Sequence, residues 1–437
     1  MSLSKQKIAT ALFSISLLFQ IHCAVSKKTT QDSITETEVY RIENALSHDS
    51  MEGRSVGTAG IERAAAFIAH EMKNAGLQPY GNSANYFQEL NVLSANIKSA
   101  AIGFGDSIDT DLSHVYCISS SSSLHIDQNS GYDIVRIKNE DEYSQQAPAL
   151  LNSKKDTWVL IDKSLATRFQ RIKNNQRQFL SSNKNIVFTV VPDVNANYYT
   201  VNINQEIHNT KTANVIGLLP GKKYPDEYVI FSAHYDHLGY RKPDEKGDSL
   251  YNGANDNASG TTAVLALSKW FAEKKDNERS LLFVAFTGEE LGLLGSEYFA
   301  TTIDPEHVVA MYNIEMIGTP SKWGNNSVYV TGYERSNLAK IMQSNLDSNK
   351  IHIYPDPYTQ YRLFYRSDNA SLASKGVPAH TISTSQMEKE AHYHKPSDEI
   401  GTLNMANMTE IIKAIALGAA SVINGKDTPS RIPPVKN

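Results

Sequence analysis

The chain has 437 residues, with 42 basic and 47 acidic side chains and a formal net charge of −5, a length that predicts two or three domains around a large buried core. Its 24 Gly, 15 Pro and 41% hydrophobic residues exclude collagen-like, low-complexity and globally disordered chains. The mild acidic balance gives no electrostatic footprint for nucleic acid. Past the first two dozen residues no stretch reads as apolar for about 18 positions, so a soluble globular protein is expected.

At the N-terminus, Lys5 and Lys7 precede an uncharged run from Ile8 to Ile21, followed by His22, Cys23 and Ala24. A cationic start followed by a short apolar stretch predicts an export signal over residues 1–24. Cys23 stands where a bacterial lipoprotein carries its acylated cysteine, behind a poor small-residue box of Gln20, Ile21 and His22. The expected location is therefore periplasmic, outer-membrane or secreted, with membrane attachment only through a lipidated Cys23. Cys117 is the other cysteine, so disulfides do not hold the fold together.

From Val39 to about Leu90 the apolar spacing is helical, with Ile61 to Ala75 closed by Gly76 and a Gly-punctuated loop from Met51 to Thr58. From about Ala95 to Ile207 a serine run and short β-rich pieces replace the amphipathic pattern, predicting an inserted β-rich domain over 95–207. From Thr212 onward strands alternate with helices. Tyr228–Ala233 and Leu281–Phe286 read as buried strands, a helix is expected from about Glu290 to Ala300, and Met405–Ile423 closes the chain as a helix. The predicted fold class is α/β, a three-layer sandwich with a mixed, mostly parallel central sheet. Residues 35–94 and 208–425 form its main domain.

In such sheets ligands bind at the carboxyl ends of strands, and there this sequence places its polar clusters. His234, Tyr235, Asp236 and His237 follow one apolar run, and Glu289 and Glu290 follow another. Glu315 follows Met311–Ile314, Asn255-Asp256-Asn257 lies in a glycine-flanked turn, and His392 to Asp398 lie far downstream. Taken singly each is ordinary: a lone His is usually structural, Asn-Asp-Asn is usually a turn, and paired Glu suits a helix start. Together, imidazoles and carboxylates without thiolate suit zinc, or failing it cobalt or manganese, at a hydrolytic site.

The segments SAHYDHLG, GANDNASGT, AFTGEELGLLGSEYF and YHKPSDEI, in that order, resemble the co-catalytic di-zinc aminopeptidases, a family that includes aminopeptidase Y and bacterial leucyl aminopeptidases. Glutamate carboxypeptidase and glutaminyl cyclase are relatives. The resemblance implies two Zn2+ ions held by His234, Asp256, Glu290, Glu315 and His394, with Asp256 bridging. It makes Glu289 the general base and Tyr393 a donor to the oxyanion. Asp236 and Asp398 are implied to orient His234 and His394, and the Asp256–Asn257 peptide to be cis. His237 and His392 stay outside the ligand set. The segment 95–207 occupies the place where many exported relatives carry a protease-associated domain. Relatives commonly have Asp where this chain has Glu315, and the segment at Arg366–Asn369 usually ends in His. The implied activity is an exported exopeptidase acting on peptides, with a carboxypeptidase, a glutaminyl cyclase or a catalytically silent ectodomain as alternatives. Tyr358, Tyr361, Phe364 and Tyr365 are candidates to line an apolar pocket.

Overall fold

The computed structural model describes residues 34–81, 83–174, 177–347 and 350–433; the expected export segment and Cys23 lie outside them. The elements that place the site are, in chain order, helices α1 (Glu36–Leu46) and α2 (Ala59–Asn74), strands β1 (Phe87–Phe104), β2 (Tyr199–Leu219) and β3 (Tyr224–His234), and helix α3 (Ser259–Lys274). Next come strand β4 (Arg279–Phe286), helix α4 (Leu294–Thr302), strands β5 (Val308–Glu315) and β6 (Ser327–Val330), and helix α5 (Leu338–Leu346). Strands β7 (His352–Pro355) and β8 (Ala379–Ser383) and helix α6 (Met405–Gly418) complete the set.

The strands form one mixed sheet in the order β7-β6-β8-β5-β3-β4-β2-β1. At its centre β3 runs parallel to β4 and β5, and β5 parallel to β8. Every residue of β4 is buried, as required of a strand covered on both faces. Alternate side chains divide between two cores, because strand periodicity sends neighbours to opposite faces. Leu281, Phe283 and Ala285 pack with α1, α2, α3 and α6, while Leu282, Val284 and Phe286 pack with Phe299 and Ala300 of α4. The molecule is therefore a three-layer α/β sandwich. By length and composition Met405–Ile423 would suffice to cross a bilayer, yet it is mostly buried in this core.

Two elements depart from the sequence expectation. The helix expected from about Glu290 begins only at Leu294. Gly288, Gly292 and Leu293 take positive φ of 68°, 106° and 66°, so the chain loops before it coils and keeps Glu289 and Glu290 over the strand end. The closing helix breaks at Ala419 into Met405–Gly418 and Ala420–Ile423.

Strands β1 and β2, 18 and 21 residues long, run past the main sheet as an antiparallel ribbon paired from Phe87↔Val215 to Phe104↔Tyr199. Beyond it lies a second sheet of Val115–Ile118, Ile186–Val191, Thr157–Asp162 and Asp133–Ile137, with apolar clusters of its own. This strand-rich segment also carries two helices, Glu140–Leu150 and Ala166–Asn174, which the sequence reading left unnamed. Cys117 is a free, buried thiol, its pKa pushed up to about 12 by burial.

On α1, Glu43 is fully buried and accepts a hydrogen bond from the Thr262 hydroxyl at 2.8 Å. Burial raises its pKa from 4.5 to about 8, so between those values the folded chain holds a proton that the unfolded chain has released. Stability from this group is full below about pH 4.5 and declines as pH rises through 8. The variant Glu43→Gln is expected to have a higher thermal midpoint than wild type at pH 8 and an equal one near pH 4.5, read by circular dichroism melts.

Candidate metal centre

Three parallel strands end side by side. β3 ends on His234 and β5 on Glu315, while β4 ends on Phe286, three residues before Glu289. Asp256 arrives from the turn between β3 and α3, and His394 from the loop after β8. That turn is pinned on several sides. Asn257 Nδ2 donates to the Ile314 carbonyl at 2.9 Å, while its Oδ1 accepts the Gly260 and Met316 N–H groups at 3.0 and 3.1 Å. The Thr261 hydroxyl donates to the His234 carbonyl at 2.8 Å. The Asp256–Asn257 peptide is cis.

Asp256 lies between two groupings. Its Oδ1 is 3.4 Å from His234 Nε2, and its Oδ2 is 3.3 Å from His394 Nε2. On one side His234 Nε2 lies 3.2 Å from Glu315 Oε1 and 3.9 Å from Glu289 Oε2. On the other, Glu290 Oε1 lies 3.3 Å from His394 Nε2. Residues far apart in the chain are thus brought within a few ångströms. Glu315, one methylene longer than the Asp expected at its place, reaches this cluster, and its Oε2 accepts the Ser367 hydroxyl at 2.7 Å.

The cluster is rich in negative charge and short of cations. Burial works against ionising Asp256, but the imidazoles of His234, His237 and His394 outweigh it and hold its carboxyl well below the usual range. Glu290 is likewise held down at about 2, burial and Asp256 being outweighed by His237 and His394. For His394 burial is overcome by Asp256 and Glu290, which raise it to about 10. Protons on imidazole stand in here for positive charge that the carboxylates demand.

Two orienting roles differ from expectation, and so does the place of His237. Asp236 offers His234 its backbone carbonyl, 3.0 Å from Nδ1, whereas its carboxylate is 3.7 Å away. That carboxylate accepts the N–H groups of Glu289 and Glu290 at 3.1 and 3.3 Å, positioning the loop that carries both. Asp398, expected to serve His394, accepts the N–H groups of Asn255 and Asp256 at 2.8 and 2.9 Å. A carboxylate facing two successive N–H groups is a charge-assisted anchor for the turn. His237, kept outside the ligand set by the sequence reading, lies with Nδ1 2.9 Å from Glu290 Oε1 and 3.9 Å from Asp256 Oδ2. His392 instead faces Ser397 at 3.0 Å.

Tyr393 stacks its ring on His394 at 3.9 Å and 19°. Burial and the neighbouring carboxylates Asp256 and Glu290 raise its phenol, so the O–H stays protonated. A cavity of about 70 Å³ opens on the cluster, walled by Met316, Tyr329, Leu363 and Met387 with Arg366 at one side. The four aromatics expected there do not line it. Tyr358 packs on Tyr329 and Phe364 is buried beside His380, while Tyr361 and Tyr365 are exposed.

Sequence reasoning missed Arg54. Its guanidinium is fully buried and donates to four backbone carbonyls: Tyr235 and Asn252 at 2.7 Å, Leu46 at 2.7 Å and Gly253 at 2.8 Å. It joins the loop after β3 to the loop before Asp256. It also missed the chain Glu315–Ser367–Asn313–Ser232, linked by side-chain hydrogen bonds of 2.7 to 2.8 Å. Only the positive charge of Arg54 inside an otherwise polar loop hinted at such a role.

Oxygen and imidazole donors without thiolate suit zinc. Glu290 Oε1 and both His237 ring nitrogens are buried without a hydrogen-bond partner among the described residues, as donors awaiting a cation would be. The residues present therefore fit zinc.

Residues 214–419 match the sequence model of Peptidase family M28. Among curated proteins the chain is 39% identical over 106 residues to a probable zinc metalloprotease of Pyrenophora teres f. teres, covering 24% of this chain and 22% of that protein. It is 25% identical over 233 residues to Aminopeptidase YwaD of Bacillus subtilis (51% and 48%), and 26% over 248 residues to Leucine aminopeptidase 2 of Trichophyton rubrum (51% and 47%). The chain thus spans from about a quarter to about half the length of these relatives. The solved zinc aminopeptidase BSAP from Bacillus subtilis superposes with a TM-score of 0.55 at 17% identity, covering 91% of this chain and 98% of that one. Residues 214–419 carry the peptidase family M28 pattern, set in the fold of a solved zinc aminopeptidase.

Proposed function

We propose that the chain is an exported zinc-dependent aminopeptidase releasing N-terminal residues from peptides. The observation that carries this reading is Asp256, with one carboxylate oxygen turned to His234 and the other to His394. His234, Asp256 and Glu315 would hold one ion, and Asp256, Glu290 and His394 the other. Zinc, when bound, supplies Lewis acidity and brings the pKa of water toward neutrality. Glu289 takes the water's proton and passes it to the leaving amine. Burial and the surrounding carboxylates Glu315 and Glu290 hold its pKa well above the ordinary value, which suits a group that must both accept and release a proton. Tyr393 donates its O–H toward the carbonyl oxygen, and the apolar wall of Met316, Leu363 and Met387 supports a neutral side chain bound beside the carboxylates.

Two groupings sharing one carboxylate favour two metals over the single zinc of a cyclase. The order of domains supports a peptidase unit of 35–94 and 208–425 interrupted by 95–207. The cationic, then apolar, N-terminal stretch supports export, with Cys23 as the residue for acylation.

The test is release of nitroaniline from aminoacyl-nitroanilides by the chain lacking residues 1–24. Release is expected to vanish on chelation, return with zinc, and be absent for the N-acetylated substrate. Equal cleavage of blocked and free substrates would rule out the aminopeptidase reading, and release untouched by chelator would rule out metal dependence.

A further inference from the structure

We propose that His237 is itself a metal ligand, sharing one ion with Asp256, Glu290 and His394, so that the two metal positions are unequal. This rests on the two-zinc reading above and deepens it. One donor atom each from His237, Asp256 and Glu290 lies within 4.8 Å of the others. The His237 side chain has no exposed surface. Its Nδ1 approaches Glu290 Oε1 to 2.9 Å, yet neither atom has a hydrogen bond among the described residues. Two buried polar atoms that close, without a well-directed hydrogen bond between them, suit donors that share a cation. Burying such atoms without a partner is costly, and a cation between them removes that cost.

The surrounding chain is shaped for this ring. Gly253 has φ +58°, and a Cβ there would collide with the His237 ring carbons and the Asp256 carbonyl; only glycine leaves the space. The imidazoles of His237 and His394 meet at 5.7 Å and 66°, edge to face, so both present nitrogens to Glu290 and Asp256 without stacking. The grouping has two imidazoles and two carboxylates, a complete tetrahedral set for zinc. The grouping of His234, Asp256 and Glu315 has three donors and keeps a place open for water or substrate. The ion beside His237 is then the more tightly held, and the one beside Glu315 the more exchangeable.

The test uses the full peptidase chain, stripped of metal and titrated with Co2+ in the presence of a competing chromophoric chelator, for wild type, His237→Gln and His237→Asn. Wild type is expected to bind two ions, and the variants to weaken the tighter one by at least the roughly 10–100-fold that loss of an outer-shell partner costs. The visible Co2+ bands should also change in position and intensity. X-ray absorption at zinc in the wild-type chain, which does not depend on a variant folding, should count three imidazoles per two metals. Two imidazoles, or variant spectra and affinities equal to wild type, overturn the proposal while leaving the two-zinc reading intact. A lower affinity with unchanged bands also overturns it, making His237 a positioning residue for Glu290. A wild-type chain that binds no metal overturns both.

Discussion

Replacing Glu289 with Gln is expected to lower kcat by about 10²–10⁴-fold, the usual contribution of a positioned acid–base group, while bound zinc stays at the wild-type level. The amide keeps the shape of the side chain but cannot take a proton. The measurement matters because Glu289 Oε2 lies only 3.9 Å from His234 Nε2, and His234, Glu289 and Glu315 also offer donor atoms within 4.8 Å of one another. Metal analysis separates the two roles. A base leaves the metal count unchanged in Glu289→Gln, whereas a ligand takes an ion with it. KM should move little, since the group acts on the proton rather than on ground-state binding.

The second large effect is structural. Arg54→Met should destabilise the chain by about 3–5 kcal/mol, the cost of removing one member of a buried charged network. Four carbonyls lose their donor together. Arg54→Lys should recover only part of this, because an ammonium has three donors and lacks the planar fork. Thermal melts read the stability. Zinc retention should fall in parallel, because the Tyr235 and Gly253 carbonyls lie on the loops carrying His234 and Asp256. A melting curve superimposable on wild type would contradict the argument.

Much of the site was legible because its donors sit directly after apolar runs. A strand such as Leu281–Phe286 is marked by its unbroken apolar run, and the residues just beyond it must emerge at the sheet's carboxyl edge. His234, Glu289, Glu290 and Glu315 were found in that way. Roles played through the backbone were not legible. Asp236 and Asp398 hold N–H groups of the loops, and a main-chain donor leaves no letter in the sequence. Arg54 fails for the same reason, since its partners are carbonyls as far as 199 positions away. His237 stands outside the pattern that Pro396 and Asp398 give to His394, and its burial against Glu290 and Asp256 distinguishes it from His392. The late start of α4 was hidden because Glu-Glu at a helix entry is good helix chemistry, while the glycines at 288 and 292 turn the chain aside first.

The paired strands β1 and β2 have a further consequence. Ser94 and His208 face each other across the ribbon, as do Ala95 and Ile207. Topologically, everything between them is the tip of one enlarged hairpin, attached to the main sheet by rungs of peptide hydrogen bonds. The other edge of β2 is laced to β4 from Val215 to Leu219. Through β2 the lobe is thus continuous, by strand pairing alone, with the strand that precedes Glu289 and Glu290.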